Sequence, residues 1–488
     1  MDFCLIGIDV GTTATKATLI DANGLQIGSF ERPHATLRTT PGMAEQRPQD
    51  WLDGVLAALG HFAGIVEPSR VIGIGLTSQV NSHVFVDANG QALRPAITWQ
   101  DTRAADDARL LDGQVSVEQK TAWFGGPVPI DASHALSRME FVARTEPQTW
   151  AATRHVLLPK DYVALKLTGE VASDPVAAVG LVDGAGIYVS ALLDLLPGAE
   201  RRLPPLYPFH HSAGRMIPDL PFAGVPVMVG AMDAWAGMFG CGAVADGDAM
   251  YQSGTSEIPG IVSSVVVPTP GVILFPPYQG IRMHAAPTQS GGASMLWLST
   301  LLGKSAADLI EQASDMRVEA TTPLFLPHLA GERAPIWDTE SRGVFARLNA
   351  GSGPVQLTLS VMEGVAHSVY WAFEALEQSA GIVASQIKIS GGGARSDAWC
   401  QIRADVLGKP LTRTSIPAAA ALGAAIIAGV GSGAFPSLPE AIRDLVRFGR
   451  TFEPDGARRD FYADRHRHYR DLYQALRTFN QSFAGQAF

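Results

Sequence analysis

The sequence predicts an α/β protein made of two related halves, and three observations carry the prediction. Its 488 residues exceed what one ordinary core holds, so two domains are expected, with a cleft between them available to a ligand. Hydrophobic residues make up 47% of the chain and charged residues 17%, which is enough apolar material for two cores and too little charge for disorder. A strand-turn-strand opening occurs twice, at the start of the chain and again over 249–262, each time around a Gly-Thr turn.

The elements follow in order. Leu5-Ile-Gly-Ile8 is strand-like, 14–20 alternates small or polar with apolar residues, and Asp21-Ala-Asn-Gly24 turns the chain again, so a three-stranded meander opens the protein. A helix is expected over 48–65 and an apolar strand over 71–76. Another apolar strand, 225–229, runs through a Gly230 turn into a helix at 234–239. The halves are divided within 243–248, giving domains 1–245 and 246–488. The second half holds the repeated hairpin, a strand at 387–390, a helix at 418–428 and a last helix over 465–479 that the pattern assigns to neither core. The stretch 416–438 carries no charge, which raises the question of a membrane span. Pro417, Pro436, Gly429, Gly431 and Gly433 break it, and a buried helix is the expectation.

Charge and cysteines exclude several classes. The formal net charge is −10 with no dense Lys/Arg stripe, so a nucleic-acid partner is not expected. Cys4, Cys241 and Cys400 fit neither a disulfide framework nor a zinc site, and the N-terminus lacks a signal-peptide pattern, so the expected location is cytoplasmic. His466 and His468 fall in an amphipathic helix and read as a solvated face rather than a metal site. An acidic protein that binds phosphate must supply positive potential locally, which directs attention to the glycine-rich turns.

There are three such turns. Gly7-Ile-Asp-Val-Gly-Thr-Thr-Ala-Thr-Lys16 tips the first hairpin with glycine and hydroxyl residues whose N–H groups can face an anion; read alone, it is also an ordinary hairpin. It is neither a Walker loop nor a dinucleotide fingerprint, because a strand follows it. Asp9, flanked by Ile8 and Val10, is an expensive strand residue unless a cation partners it; Mg²⁺ through water is one candidate, and backbone N–H groups with Lys16 are the other. Gln252-Ser-Gly-Thr-Ser256 repeats the turn chemistry, and Ser390-Gly-Gly-Gly-Ala-Arg-Ser396 carries a strand into a triple glycine and then a helix. Gly240-Cys-Gly-Ala-Val-Ala245 matches the loose dinucleotide pattern but follows a helix and is set aside. Asp233, at the start of its helix, reads equally as an N-cap, which contributes about 1 kcal/mol, or as a general base.

Three glycine turns in this order resemble the actin-like (ribonuclease H-like) fold. Nearly the whole chain resembles the FGGY carbohydrate kinases, and within them the xylulokinases, through GIDVGTTATK, MAEQRPQDW, WQDTR, LLPKDY, LTGEVASD, VPVMVGAMDAWAG, SGTS, FLPHLAGERAP and SGGGARSDAW with ALGAA. The family's second pattern survives as Gly343-Val-Phe-Ala-Arg-Leu348, Gln356-Leu357 and 360–363, with Arg347 where glycine is usual.

The resemblance implies an ATP- and Mg²⁺-dependent kinase that phosphorylates a small sugar, with sugar on the first half and nucleotide on the second. It makes Asp233 the general base, a weak one at a reference pKa of about 3.9, and gives Asp9 to Mg²⁺. Thr12, Thr13, Lys16, Gly254, Thr255, Gly391, Gly392, Gly393 and Ser396 are implied to bind the nucleotide. Gln79, Val80, Asn81, Trp99, Asp101, Arg103 and Ala234 are implied to meet the sugar, with core packing as the other reading of Trp99. Xylulokinases usually read Gln-Met-His-Gly where this chain has Gln79-Val-Asn-Ser82, asparagine where it has Ala234, and lysine where it has His134. D-xylulose is therefore the default substrate, beside ribulose, L-xylulose, tagatose or a pentitol. A homodimer is a family-based expectation. A non-catalytic actin-like binding protein is the other class considered; a regulator of that kind needs a DNA-binding module for which the sequence before residue 7 leaves no room. Hydrolase signatures are missing from the sequence.

Overall fold

The computed structural model describes residues 3–483; residues 1, 2 and 484–488, with the outer ends of the two expected halves, lie outside the described residues. The first meander forms as the alternation predicts: Cys4–Val10 (β1), Ala14–Asp21 (β2) and Gln26–Pro33 (β3). Ile6, Ile8 and Val10 point from one face of β1 into a core with Trp51, Leu59 and Phe62 of Pro48–Ala63 (α1), whose proline occupies the first turn where an N–H is dispensable. Val71–Ser78 (β4) pairs parallel with β1. Ser212–Arg215 (β5), Pro226–Met228 (β6) and Ala231–Met232 (β7) complete a seven-stranded sheet in the order β3-β2-β1-β4-β6-β5, with β7 also on β4.

The second sheet repeats the order. Ala249–Ser253 (β8) and Glu257–Ser263 (β9) form the second hairpin, and Ile273–Leu274 (β10) and Arg282–Ala285 (β11) extend it. Ile387–Ser390 (β12) and Leu411–Thr414 (β13) add in parallel, and Phe448–Phe452 (β14) closes the edge antiparallel. The order is β10-β11-β9-β8-β12-β13-β14. A hairpin meander followed by two parallel strands thus occurs twice, as two actin-like α/β domains.

The chain divides into two compact units, but not at one point. The first unit takes the described residues up to Gly242, then Pro276–Tyr278 and Ala418–Val446; the second takes the rest. The expected contiguous domain 246–488 is therefore corrected, because the uncharged stretch folds as Ala419–Gly431 (α7) in the first unit. Small residues are the reason. A Cβ on Gly7 of β1 would lie 1.8 Å from Ala421 O, and one on Gly75 of β4 1.8 Å from Ala424 O, so the helix rests directly on sheet backbone. The opposing Asp233–Gly240 (α4) meets α7 as closely: a Cβ on Gly423 would lie 1.7 Å from Ala236 O. The stretch is apolar because it is enclosed, and among the described residues no helix is long and apolar enough to cross a membrane.

The last helix, Arg459–Gln481 (α8), belongs to the second unit and packs on the 27-residue helix Pro354–Ala380 (α5). This corrects the reading of His466, which is 5% exposed, with its ring centroid 4.3 Å from that of Tyr370 and its Nδ1 3.3 Å from His367 Nδ1. His468 is exposed, as expected for the opposite face. Arg347 follows the strand Val344–Ala346 with φ +64°, a left-handed backbone that glycine adopts freely and arginine does not.

Candidate functional site

In the first unit two carboxylates come together at the strand ends. Asp9 is the last residue but one of β1, and its Oδ1 is sealed from solvent without a hydrogen-bond partner. Burial, and then the neighbouring Asp233 carboxylate, push its pKa up to about 8 against a smaller opposing effect of Lys16. Lys16 stands opposite Asp9 in the β1–β2 register, yet its ammonium group lies 3.9 Å from Glu31 and both side chains are substantially exposed. The alternative in which Lys16 neutralises Asp9 is thereby reduced to long-range attraction through solvent.

Asp233 reaches the same place by a different route. Gly230, at φ +76°, lets the chain pass over β4 where a Cβ would lie 1.9 Å from Leu76 O. Thr77 Oγ1 then donates to Ala231 O (2.8 Å), and the buried Lys160 ammonium group, on Pro159–Thr168 (α3), donates to Val229 O (3.3 Å) while paired with Asp161 and Asp174 at 2.7 and 2.8 Å. Asp233 is the first residue of α4, after an N-cap position held by Met232, and its Oδ1 accepts from the adjacent Ala234 N–H at 2.8 Å. The N-cap reading is corrected: no side chain caps this helix. Burial raises the Asp233 pKa to about 6, above the ordinary carboxylate value assumed from sequence, while backbone N–H groups hold it back.

The first hairpin tip is fixed through its carbonyl oxygens. Gln46 Nε2 donates to Thr12 O (2.6 Å), His34 N–H to Thr13 O (3.1 Å), and His34 Nε2 lies 3.0 Å from Gly11 O. Trp99 is 36% exposed and donates through Nε1 to Thr12 Oγ1 at 3.0 Å, so its ring lies over the tip rather than in the core.

The other residues expected at the sugar divide into two sets. Val80, Asn81 and Ala234 are half-buried near the strand ends. Asn81 takes φ +53°, donates to Ser133 Oγ (3.2 Å), and has its carbonyl held by the buried Arg138. Gln79, Asp101 and Arg103 are turned into the protein. Gln79 is 1% exposed, donating to Gln46 (2.9 Å) and accepting from Ser82 (3.1 Å). Asp101 accepts from Ala44 N–H and from Arg103, and Arg103 also binds Glu45, which Arg94 binds as well. His134 caps Ala135–Thr145 (α2) by accepting from Leu136 N–H, and its Nε2 lies 2.9 Å from Gly180 O.

In the second unit the two glycine turns interlock. A Cβ on Gly391 (φ +94°) would lie 2.3 Å from Ser253 O, and one on Gly393 2.1 Å from Ser253 Oγ, whereas Gly392 faces open space. Ser396 commits its hydroxyl to capping Asp397–Leu407 (α6) through Trp399 N–H at 3.2 Å. The carbonyls of Gly254 and Thr255 accept from Gly292 and Ala293 at 2.9 and 3.0 Å, at the start of the helix Gly292–Leu302.

Sequence reasoning missed several of these residues. Gln46, Lys160 and Arg403 lay inside or beside quoted motifs without a role. Gln289-Ser-Gly-Gly-Ala293, a further glycine turn, was legible in composition alone. Among the described residues no group of three or more His, Cys, Asp or Glu is placed to hold a metal ion. Asp9 and Asp233 are two carboxylates, one orphaned, and that deficit of positive charge fits a divalent cation held mainly through water.

Comparison with known proteins agrees over the whole length. The N-terminal domain of the FGGY family of carbohydrate kinases matches residues 4–240, and the C-terminal domain matches 249–432. The chain is 32% identical to a xylulose kinase of Escherichia coli K12, with 96% of this chain and 99% of that protein covered. It is 28% identical to a glycerol kinase of Geobacter, covering 92% and 94%. The crystal structure of a xylulose kinase from Rhodospirillum rubrum superposes with a TM-score of 0.84 at 27% identity, over 98% of this chain and all of that one.

Proposed function

The chain belongs to the FGGY family of carbohydrate kinases, and from that premise we propose that it transfers the γ-phosphate of MgATP to a hydroxyl of a ketose, with D-xylulose the first candidate. The observation that carries the reading is the pairing of a raised-pKa Asp233, after β7, with an orphaned Asp9 on β1, the two strands flanking β4.

In this reading Asp233 orients the attacking hydroxyl and takes its proton as the oxygen becomes acidic in a loose transition state. A pKa of about 6 leaves it largely ionised at neutral pH yet more basic than an ordinary carboxylate, which suits a general base. Trp99 offers the sugar a ring face, and Val80, Asn81 and Ala234 border it, while Gln79, Asp101 and Arg103 hold the bordering loops in place. Thr12, Thr13 and Lys16 of the first hairpin are phosphate-binding residues in this reading. Gly254, Thr255 and Gly391–Gly393 bind nucleotide in the second, with Gly392 the open position and Ser396 acting through its helix cap. Asp9 would hold Mg²⁺ through water, and the bound ion would neutralise charge on the phosphate chain. The cytoplasm is the setting, and a homodimer the working assembly.

A second substrate is kept open by particular residues. Val80, Asn81 and Ala234 replace side chains usual in xylulokinases, and the similarity to a glycerol kinase extends over most of the chain, so another ketose or a polyol is the runner-up. Coupled ADP release with MgATP against pentuloses, hexuloses, pentitols and glycerol tests both. Turnover dependent on one sugar supports the kinase reading and names its acceptor; measurable ATP binding without turnover on any member contradicts it.

A further inference from the structure

Gly391, Gly392 and Gly393 bring no side chains to anchor their turn, which rests on close contact with Ser253. One side chain ties this turn to the hairpin beside it. Arg403, on α6, is fully buried; its Nη1 donates to Gly393 O at 2.8 Å, and its Nη2 to Ser253 Oγ at 2.8 Å and to Glu257 Oε1 at 3.2 Å. Ser253 closes β8 just before Gly254, and Glu257 opens β9 just after the same tip. Glu257 reaches a further turn: a Cβ on Gly291 would lie 3.0 Å from its Oε1. The guanidinium group is seated on Trp399, 4.3 Å from the ring centroid, and lies 5.2 Å from that of Tyr251.

We propose that Arg403, with Glu257, is a positioning residue that locks the hairpin tip at Gly254–Thr255 and the triple-glycine turn into one nucleotide-binding geometry. The proposal rests on the reading of those turns as the nucleotide site. A buried ion pair adds little net stability over apolar residues of the same volume, so what this pair supplies is fixed geometry at three acceptors. The planar fork is essential to that role, since lysine offers one point charge where three anchors must be spanned.

The experiment measures ADP and MgATP affinity by calorimetry beside thermal stability and the KM for sugar. Arg403→Lys is expected to weaken nucleotide binding about ten- to a hundredfold, the scale of a misplaced binding element, with the KM for sugar unchanged. Because a single replacement leaves a buried charge unpaired, the deciding variant is the double replacement Arg403→Leu with Glu257→Leu. It is expected to fold with near wild-type melting and to show the same loss of nucleotide affinity. Wild-type affinity in the folded double variant overturns the positioning role, and so does a double variant that fails to fold, which would make the pair a fold element. A wild-type protein that binds neither nucleotide instead sinks the nucleotide reading itself.

Discussion

The two hairpins occupy the same place in two sheets of the same strand order, yet they set different charges beside a carboxylate. In the second unit Glu257 has Arg403 against one of its oxygens, although its Oε2 is sealed off without a partner and burial pushes its pKa up to about 7. In the first, Asp9 likewise has an orphaned oxygen, but its neighbour is the like-charged Asp233 and the cation opposite, Lys16, is solvated. Arg403 offsets part of the cost of burying Glu257, whereas at Asp9 the Asp233 carboxylate outweighs the opposing effect of Lys16. In the proposed reading the positive charge missing beside Asp9 is brought by the bound cation, whereas the charge beside Glu257 belongs to the protein.

Asp233→Asn removes the proton acceptor and should lower kcat by about 10²–10⁴-fold with nucleotide affinity and melting preserved; near-normal turnover removes Asp233 from the chemistry. Asp9→Asn should raise the Mg²⁺ concentration required for half-maximal rate and reduce kcat, whereas Glu257→Gln should leave the Mg²⁺ requirement where it is. Equal shifts in a Mg²⁺ titration of the two variants would erase the contrast. In wild-type enzyme, kcat/KM should fall as pH drops through about 6, where Asp233 takes up its proton, and a pH-rate profile with no acidic limb there contradicts the assignment. The smallest effect concerns strain that no ligand relieves: Arg347→Gly, at φ +64°, should stabilise the protein by about 1 kcal/mol or leave it unchanged in a denaturant titration.

Much of this was legible in the sequence where one residue type has few reasons to occur. The double hairpin and its Gly-Thr turns stood out because glycine and hydroxyl residues interrupt apolar strands, and the first core followed from alternation on β1. The return of α7 to the first unit was not legible. Its small residues match Gly7 and Gly75 across hundreds of positions, and local periodicity carries no information about such a pairing. Asp101 and Arg103 looked like ligands because charged residues near a tryptophan read as polar contacts; only the fold reveals Glu45 between Arg94 and Arg103. His466 was misplaced for a similar reason: an amphipathic helix leaves its inner face undefined until its partner, α5, is known. Arg347 shows the reverse, a departure from pattern whose meaning appears only in its backbone angle.

The central claim, that Asp9 is held uncompensated for a cation, is tested most directly by the pH dependence of stability in wild-type protein and Asp9→Asn, each with chelator and with MgATP. The folded Asp9 keeps its proton up to about 8 while the unfolded carboxyl releases it near 3.8, so the folded state binds more protons and stability falls as pH rises across that window. In chelator, Asp9→Asn should therefore gain on wild type as pH rises, by about 1–3 kcal/mol near pH 8, and MgATP should stabilise the wild type enough to close the gap. Parallel curves in chelator, or a gap indifferent to MgATP, would contradict the account.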